Sequence, residues 1–154
     1  MKHSRAAPTG ELRPLAPPAA TGETRFRVRY SECDPMGVAH HASYFPWLEM
    51  GRTELLRTAG VSYADLEARG VFLVVARIEA RFKAPARYDD ELVLVTRVSG
   101  GGRAKIEHEY ELWHDAGDGR GKTTLLMTGA STLACVDAGG RPGPLPAWLM
   151  VRGA

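Results

Sequence analysis

Only one segment of this chain carries a long helical period, and nearly every other patterned segment alternates like a strand. Phe45, Leu48, Arg52, Leu55, Leu56 and Ala59 recur at helical spacing and form one mostly apolar stripe. Ser43 stands where an N-cap belongs, Pro46 falls within the first turn, and Gly60 is placed to stop the helix. Ser62 to Asp65 reads as a capping-box start for a shorter helix that Gly70 ends. A strand is expected over 24–31, with Phe26, Val28 and Tyr30 on one side and three arginines on the other. Further strands are expected over 71–84, 91–98, 103–114 and 122–136, with Gly129 as a candidate bulge. One amphipathic helix and a strand meander must bury their apolar faces against each other. The predicted class is therefore α+β, an antiparallel sheet wrapped around a single long helix.

At 154 residues the chain has the length of one domain with a substantial core. The net charge of +2, with acids and bases interspersed, gives no broad field for nucleic acid. Two cysteines, Cys33 and Cys135, neither demand a disulfide nor supply a zinc site, so no metal is expected. No apolar run approaches the roughly 18 residues of a membrane span, and the start MKHSRAAP lacks a signal-peptide core. A cytoplasmic location is the expectation. Residues 1–22 are rich in proline and alanine and read as a disordered or loosely attached tail, leaving 23–154 as the folded domain.

The chemistry concentrates just ahead of the long helix. Asp34, His40 and His41 precede its N-terminus, where unpaired N–H groups and the positive end of the macrodipole gather. Such a place holds a developing oxyanion. Asp34 has two readings: an Asx-turn residue that starts the loop, or a general base or nucleophile toward an acyl carbon. His41 reads either as a surface or capping group or as a proton donor that orients substrate. Cys33 fits a small buried residue better than a nucleophile, and no G-x-S-x-G run is present. Glu49, Arg52 and Glu54 lie on the helix; Glu49 is a candidate to face the loop, and Arg52 to pair with an acid.

The run Asp34-Pro35-Met36-Gly37-Val38, with His41 and Tyr44 after it, resembles the signature of hotdog-fold acyl-CoA thioesterases. More narrowly it resembles the 4-hydroxybenzoyl-CoA thioesterase family and its Tol-Pal-associated relatives. The likeness continues through Glu49 and Arg52 to Arg57, and again from Phe82 to Asp90. The resemblance implies a hotdog fold, assembly as a homodimer or homotetramer, and hydrolysis of a small acyl-CoA without a cofactor. It implies Asp34 and His41 as catalytic residues, with Gly37, Val38, Tyr44 and Glu49 contacting substrate. Cys33-Asp34-Pro35 is closer to the hydroxybenzoyl branch and His41 to the Tol-Pal branch, so the acyl group stays open. The alternative is a non-catalytic acyl-CoA-binding hotdog module.

Overall fold

The computed structural model of the chain describes residues 11–151. Strand β1 (Thr21–Arg27) leads through a polar loop into the 14-residue helix α1 (Tyr44–Arg57). A short helix α2 (Tyr63–Glu67) follows, then β2 (Phe72–Phe82), β3 (Glu91–Gly101), β4 (Lys105–Asp115) and β5 (Lys122–Val136). All pairings are antiparallel, and the sheet order is β1-β3-β4-β5-β2. The architecture is the expected α+β sheet on one long helix. No described helix is long and apolar enough to cross a membrane.

The helical stripe does what its period demands. Tyr44, Trp47 and Leu48 pack on Leu92, Leu94, Tyr110, Leu112 and Met127 from the sheet. Burying each large apolar side chain contributes about 1.5–3 kcal/mol, so this one interface dominates the fold. Alternation on β4 is equally faithful, since Ile106, His108, Tyr110 and Leu112 are all buried. Gly51 lets the helix ride directly on β3. A Cβ there would lie 2.7 Å from Leu94 Cδ2 and closer still to Thr96 Oγ1.

Several boundaries differ from the sequence expectation. β1 runs over Thr21–Arg27 rather than 24–31, and Tyr30 is exposed instead of sharing the buried side of Val28. The Val28 N–H donates to the Asp90 carbonyl and its carbonyl accepts the Asp89 N–H, so the ladder ends there. The Glu32 carboxylate then takes the Arg29 N–H and closes a tight turn at Tyr30–Glu32. Ser43 does not cap α1 with its side chain; its hydroxyl donates to the Glu32 carbonyl at 2.8 Å. Gly129 is no bulge. It pairs in register with Ala80 and Tyr110, and its hydrogen is needed because a Cβ would sit 2.8 Å from the Glu79 carbonyl. The register shifts fall instead at Ala76, Ser99, Thr123 and Leu126. The capping box of α2 forms as the sequence suggests, from Ser62 and Asp65.

Residues 1–10 of the expected tail lie outside the described residues. From Glu11 the segment runs as a strap along the C-terminal end of α1. The Leu15 N–H donates to the Ala59 carbonyl at 2.9 Å, the Ala19 N–H to Thr58 Oγ1 at 2.8 Å, and Leu12 packs on the Leu56, Val61 and Leu66 cluster. A helix end leaves carbonyls without partners, and the strap supplies a donor to one just past it, at Ala59, and a second to the Thr58 hydroxyl.

Candidate active site

The loop between β1 and α1 is built from short-range hydrogen bonds. The Asp34 N–H donates to the Val38 carbonyl and the Gly37 N–H to the Asp34 carbonyl, both at 2.9 Å. Gly37 sits at φ +76°, a left-handed conformation that glycine adopts without a Cβ penalty. Asp34 Oδ1 accepts the Met36 N–H at 2.8 Å, so the residue is a true Asx turn. That bond fixes one carboxylate oxygen of a residue that also lines the cleft. Ala39 then ties the loop to the next layer, donating to the Ala86 carbonyl at 2.7 Å.

A tight turn at His41–Ser43 feeds directly into α1. His40 Nδ1 accepts the Ala42 N–H at 3.1 Å, and the two histidine rings lie 4.1 Å apart between centroids. The His41 N–H, at the head of the turn, has no intrahelical acceptor. It lies at the positive end of the turn and helix, and His41 lines the same cleft as Asp34.

The result is a cleft of about 400 Å³ lined by Asp34, Val38, His41, Tyr44, Phe82 and Lys83, among others. Tyr44 is buried and its ring meets Phe82 edge-on at 4.8 Å, which makes an aromatic wall. Burial pushes the Tyr44 phenol up, against a smaller opposing bond from the Ala86 backbone, so it stays neutral. Four residues expected at the site thus meet: Asp34, Val38, His41 and Tyr44. Gly37 shapes the turn without lining the cleft. Glu49 lies further along α1, mostly exposed, and faces Arg52 at 3.8 Å rather than the loop.

Glu32 is the residue that pattern reading overlooks. It is 8% exposed, and its carboxylate accepts Trp47 Nε1–H at 3.0 Å and the Arg29 guanidinium at 2.7 Å. Its carbonyl holds both Ser43 and His40. Burial alone would raise its pKa, but the bonds from Arg29 and Trp47, with the Arg29 charge, outweigh it and hold the carboxyl below the usual range. Glu32 therefore pins the loop to the helix. Its only signal in the sequence was an acid on the edge of the strand break. Phe82 lay within the Phe82–Asp90 likeness, but nothing in its spacing set it against Tyr44.

The family model described as the thioesterase-like superfamily matches residues 28–153, a span that contains the loop, α1 and the whole cleft. The chain belongs to the thioesterase-like superfamily. Within that superfamily it is 41% identical over 111 residues to the acyl-CoA thioester hydrolase YbgC of Escherichia coli O157:H7, covering 72% of this chain and 78% of that one. It is 34% identical over 115 residues to the acyl-CoA thioesterase YbgC of Haemophilus influenzae, covering 73% and 79%. Among solved structures it is similar to DHNA-CoA thioesterase from Staphylococcus aureus. There the TM-score is 0.74 at 28% identity, over 81% of this chain and 80% of that one. A probable thioesterase from Bartonella henselae superposes at TM-score 0.73 and 31% identity, over 82% of this chain and all of its own. These superfamily members share the hotdog fold.

Proposed function

We propose that this chain is an acyl-CoA thioesterase, hydrolysing the thioester of a small acyl-CoA to the free acid and CoA at the Asp34 cleft. The observation that carries the reading is a carboxylate held in the same cleft as the head of α1. In this mechanism the thioester carbonyl accepts the His41 N–H, where the helix dipole favours the negative charge that develops. Asp34 Oδ2 takes a proton from water as the water oxygen bonds to the carbonyl carbon. Collapse breaks the C–S bond, and the leaving thiolate takes the proton that Asp34 holds, with the His41 imidazole able to relay it and return to its starting state. Direct attack by Asp34 to give a mixed anhydride is the variant route, with water then cleaving the anhydride. Tyr44 and Phe82 seat the acyl group on their rings.

The working unit in this reading is a homodimer or homotetramer. β2 supports it: among the described residues this edge strand pairs only with β5, and it exposes Val74, Val75 and Phe82. An unpaired edge with exposed apolar side chains is a liability unless a second chain covers it. The reading sets the enzyme in the cytoplasm, where free thiols such as Cys33 and Cys135 persist.

A hydrolysis screen over short, long and aromatic acyl-CoAs tests the proposal. Wild type is expected to turn over at least one class, and Asp34→Asn none at a comparable rate. Retained CoA affinity without hydrolysis of any substrate would replace this reading with a non-catalytic binding module.

A further inference from the structure

A second cavity lies under the C-terminal half of α1, and no residue that lines it lines the Asp34 cleft. Tyr44 in the cleft and Leu55 in the cavity are separated by about 16 Å of helix. The cavity measures about 220 Å³. Its roof is the strap Pro17–Ala20 together with Trp148–Val151, and its walls include Leu55, Ile106 and Leu133. Three polar side chains interrupt this apolar lining: Arg52, Tyr63 and His108.

Arg52 is the anomaly. It is 6% exposed, and its Nε and Nη1 have no hydrogen-bond partner. Nη2 reaches Glu49 at 3.8 Å, but that carboxylate is 67% exposed and belongs to the solvent side. A guanidinium is always charged, and leaving its buried donors unmet is costly. Within the cavity Arg52 meets only a neutral partner: Tyr63 shares a hydrogen bond with it, and burial, against the opposing pull of the Arg52 charge and that bond, pushes the phenol up. His108 is 5% exposed with Nδ1 unpartnered; burial first, and Arg52 second, hold its pKa down to about 4. The cavity therefore holds a guanidinium whose Nε and Nη1 donors are unmet and whose one carboxylate partner, Glu49, is exposed.

We infer that this cavity binds a small monocarboxylate, whose carboxylate accepts the unpaired N–H groups of Arg52 and whose apolar body lies along Leu55, Ile106 and Leu133. One cation calls for one negative charge. A dianion such as phosphate would bring a second charge and find too few donors, whereas a carboxylate matches a guanidinium. At about 30 Å³ per water, the space equals about seven waters, which suits a six-carbon acid or a benzoate. The inference stands without the thioesterase reading. If that reading holds, the acid product has this same chemistry and a second seat remote from Asp34.

Titration calorimetry on the full chain, with hexanoate and benzoate against hexanamide, tests it. One carboxylate is expected to bind per chain while the amide does not. Arg52→Met is expected to weaken the carboxylate by about tenfold or more, the loss of a charge-assisted hydrogen bond. Asp34→Asn is expected to leave it unchanged, which separates this site from product bound in the cleft. Should Arg52→Met fail to fold by circular dichroism, Ile106→Phe keeps the cation and fills the space, and binding is expected to vanish. Equal binding of acid and amide, no binding of either acid to wild type, affinity unmoved by Arg52→Met or Ile106→Phe, or affinity lost in Asp34→Asn would each overturn the inference.

Discussion

The two ends of α1 solve opposite problems. At the N-terminal end a loop of short-range hydrogen bonds holds Asp34 and His41 at an open cleft, wet and ready for a reacting group. At the C-terminal end the sheet, strap and tail bury Arg52 and His108 against an apolar cavity, where Arg52 Nε and Nη1 and His108 Nδ1 go unmet. The first end places charge where water can reach it, so its groups keep their freedom to move protons. The second places charge where water is scarce, so a fixed cation acts through its unmet donors. The same helix thus offers positive potential twice: once from its dipole and once from a guanidinium.

The sharpest way to break this contrast is at Asp34. Asp34→Asn keeps the Asx turn, because an amide oxygen still accepts the Met36 N–H. The expected result is a fall in kcat of about 10²–10⁴-fold with the melting temperature unmoved. A variant that melts early would mean the carboxylate is structural, and near-normal hydrolysis would remove it from the reaction.

At the sealed end the largest effect is on stability against pH. The folded His108 refuses a proton until about pH 4, while the unfolded imidazole takes one near 6.5. Stability is therefore complete above about 6.5 and lost as pH falls from there toward 4, by roughly 3 kcal/mol at the low end. His108→Phe is expected to match wild type closely at pH 7 and to lose much less between pH 6.5 and 4 in urea titrations. Parallel pH slopes for the two proteins would show that His108 is charged in the fold.

The two ends also differ in how much of them the sequence discloses. Asp34, Val38, His41 and Tyr44 lie within one short run, and local hydrogen bonds bring them together, so the run itself carries the site. The helical stripe and the alternation on β4 are equally local and equally plain. Arg52 and His108 meet only because β4 sits in the middle of the sheet under α1, and sheet order is not written in any one segment. Arg52 does pair with an acid on its own helix, the exposed Glu49 at 3.8 Å, as its sequence suggests; what no single segment discloses is that its other donors lie buried beside His108. Glu32 fails for a related reason: its partner Trp47 lies across the loop, beyond the reach of strand or helix period. The end of β1 is not legible in the pattern of arginines because the backbone at Asp89 and Asp90 decides where pairing stops.

Glu32→Ala sharpens the open end. It strips the carboxylate from Trp47 Nε1–H and from Arg29, and the lost bond to a charged acceptor costs about 2 kcal/mol. Because the fold depresses this carboxyl, its contribution is present above the ordinary carboxylate range and fades as pH falls below about 4.5. That window lies beneath the His108 window, so the two residues separate in one pH series. Turnover is expected to fall by about tenfold through loosened positioning, less than for Asp34→Asn. A stability loss that persists undiminished at pH 3 would assign the effect to packing rather than charge.

The smallest test asks whether the two ends are independent. Ser62 N–H donates to Asp65 Oδ2 at 2.8 Å and its hydroxyl to the same oxygen at 2.7 Å, which fastens the start of α2. That short helix holds Tyr63 at the cavity wall and Leu66 in the cluster beneath it. Ser62→Ala is expected to cost about 1 kcal/mol, as cap losses do, and to raise amide exchange across α2. Carboxylate affinity should weaken a few-fold because Tyr63 loosens, whereas thioester turnover should hold, since nothing in α2 touches the Asp34 cleft. If turnover fell in step with affinity, α1 would be transmitting strain from one end to the other, and the two sites would have to be treated as one coupled device.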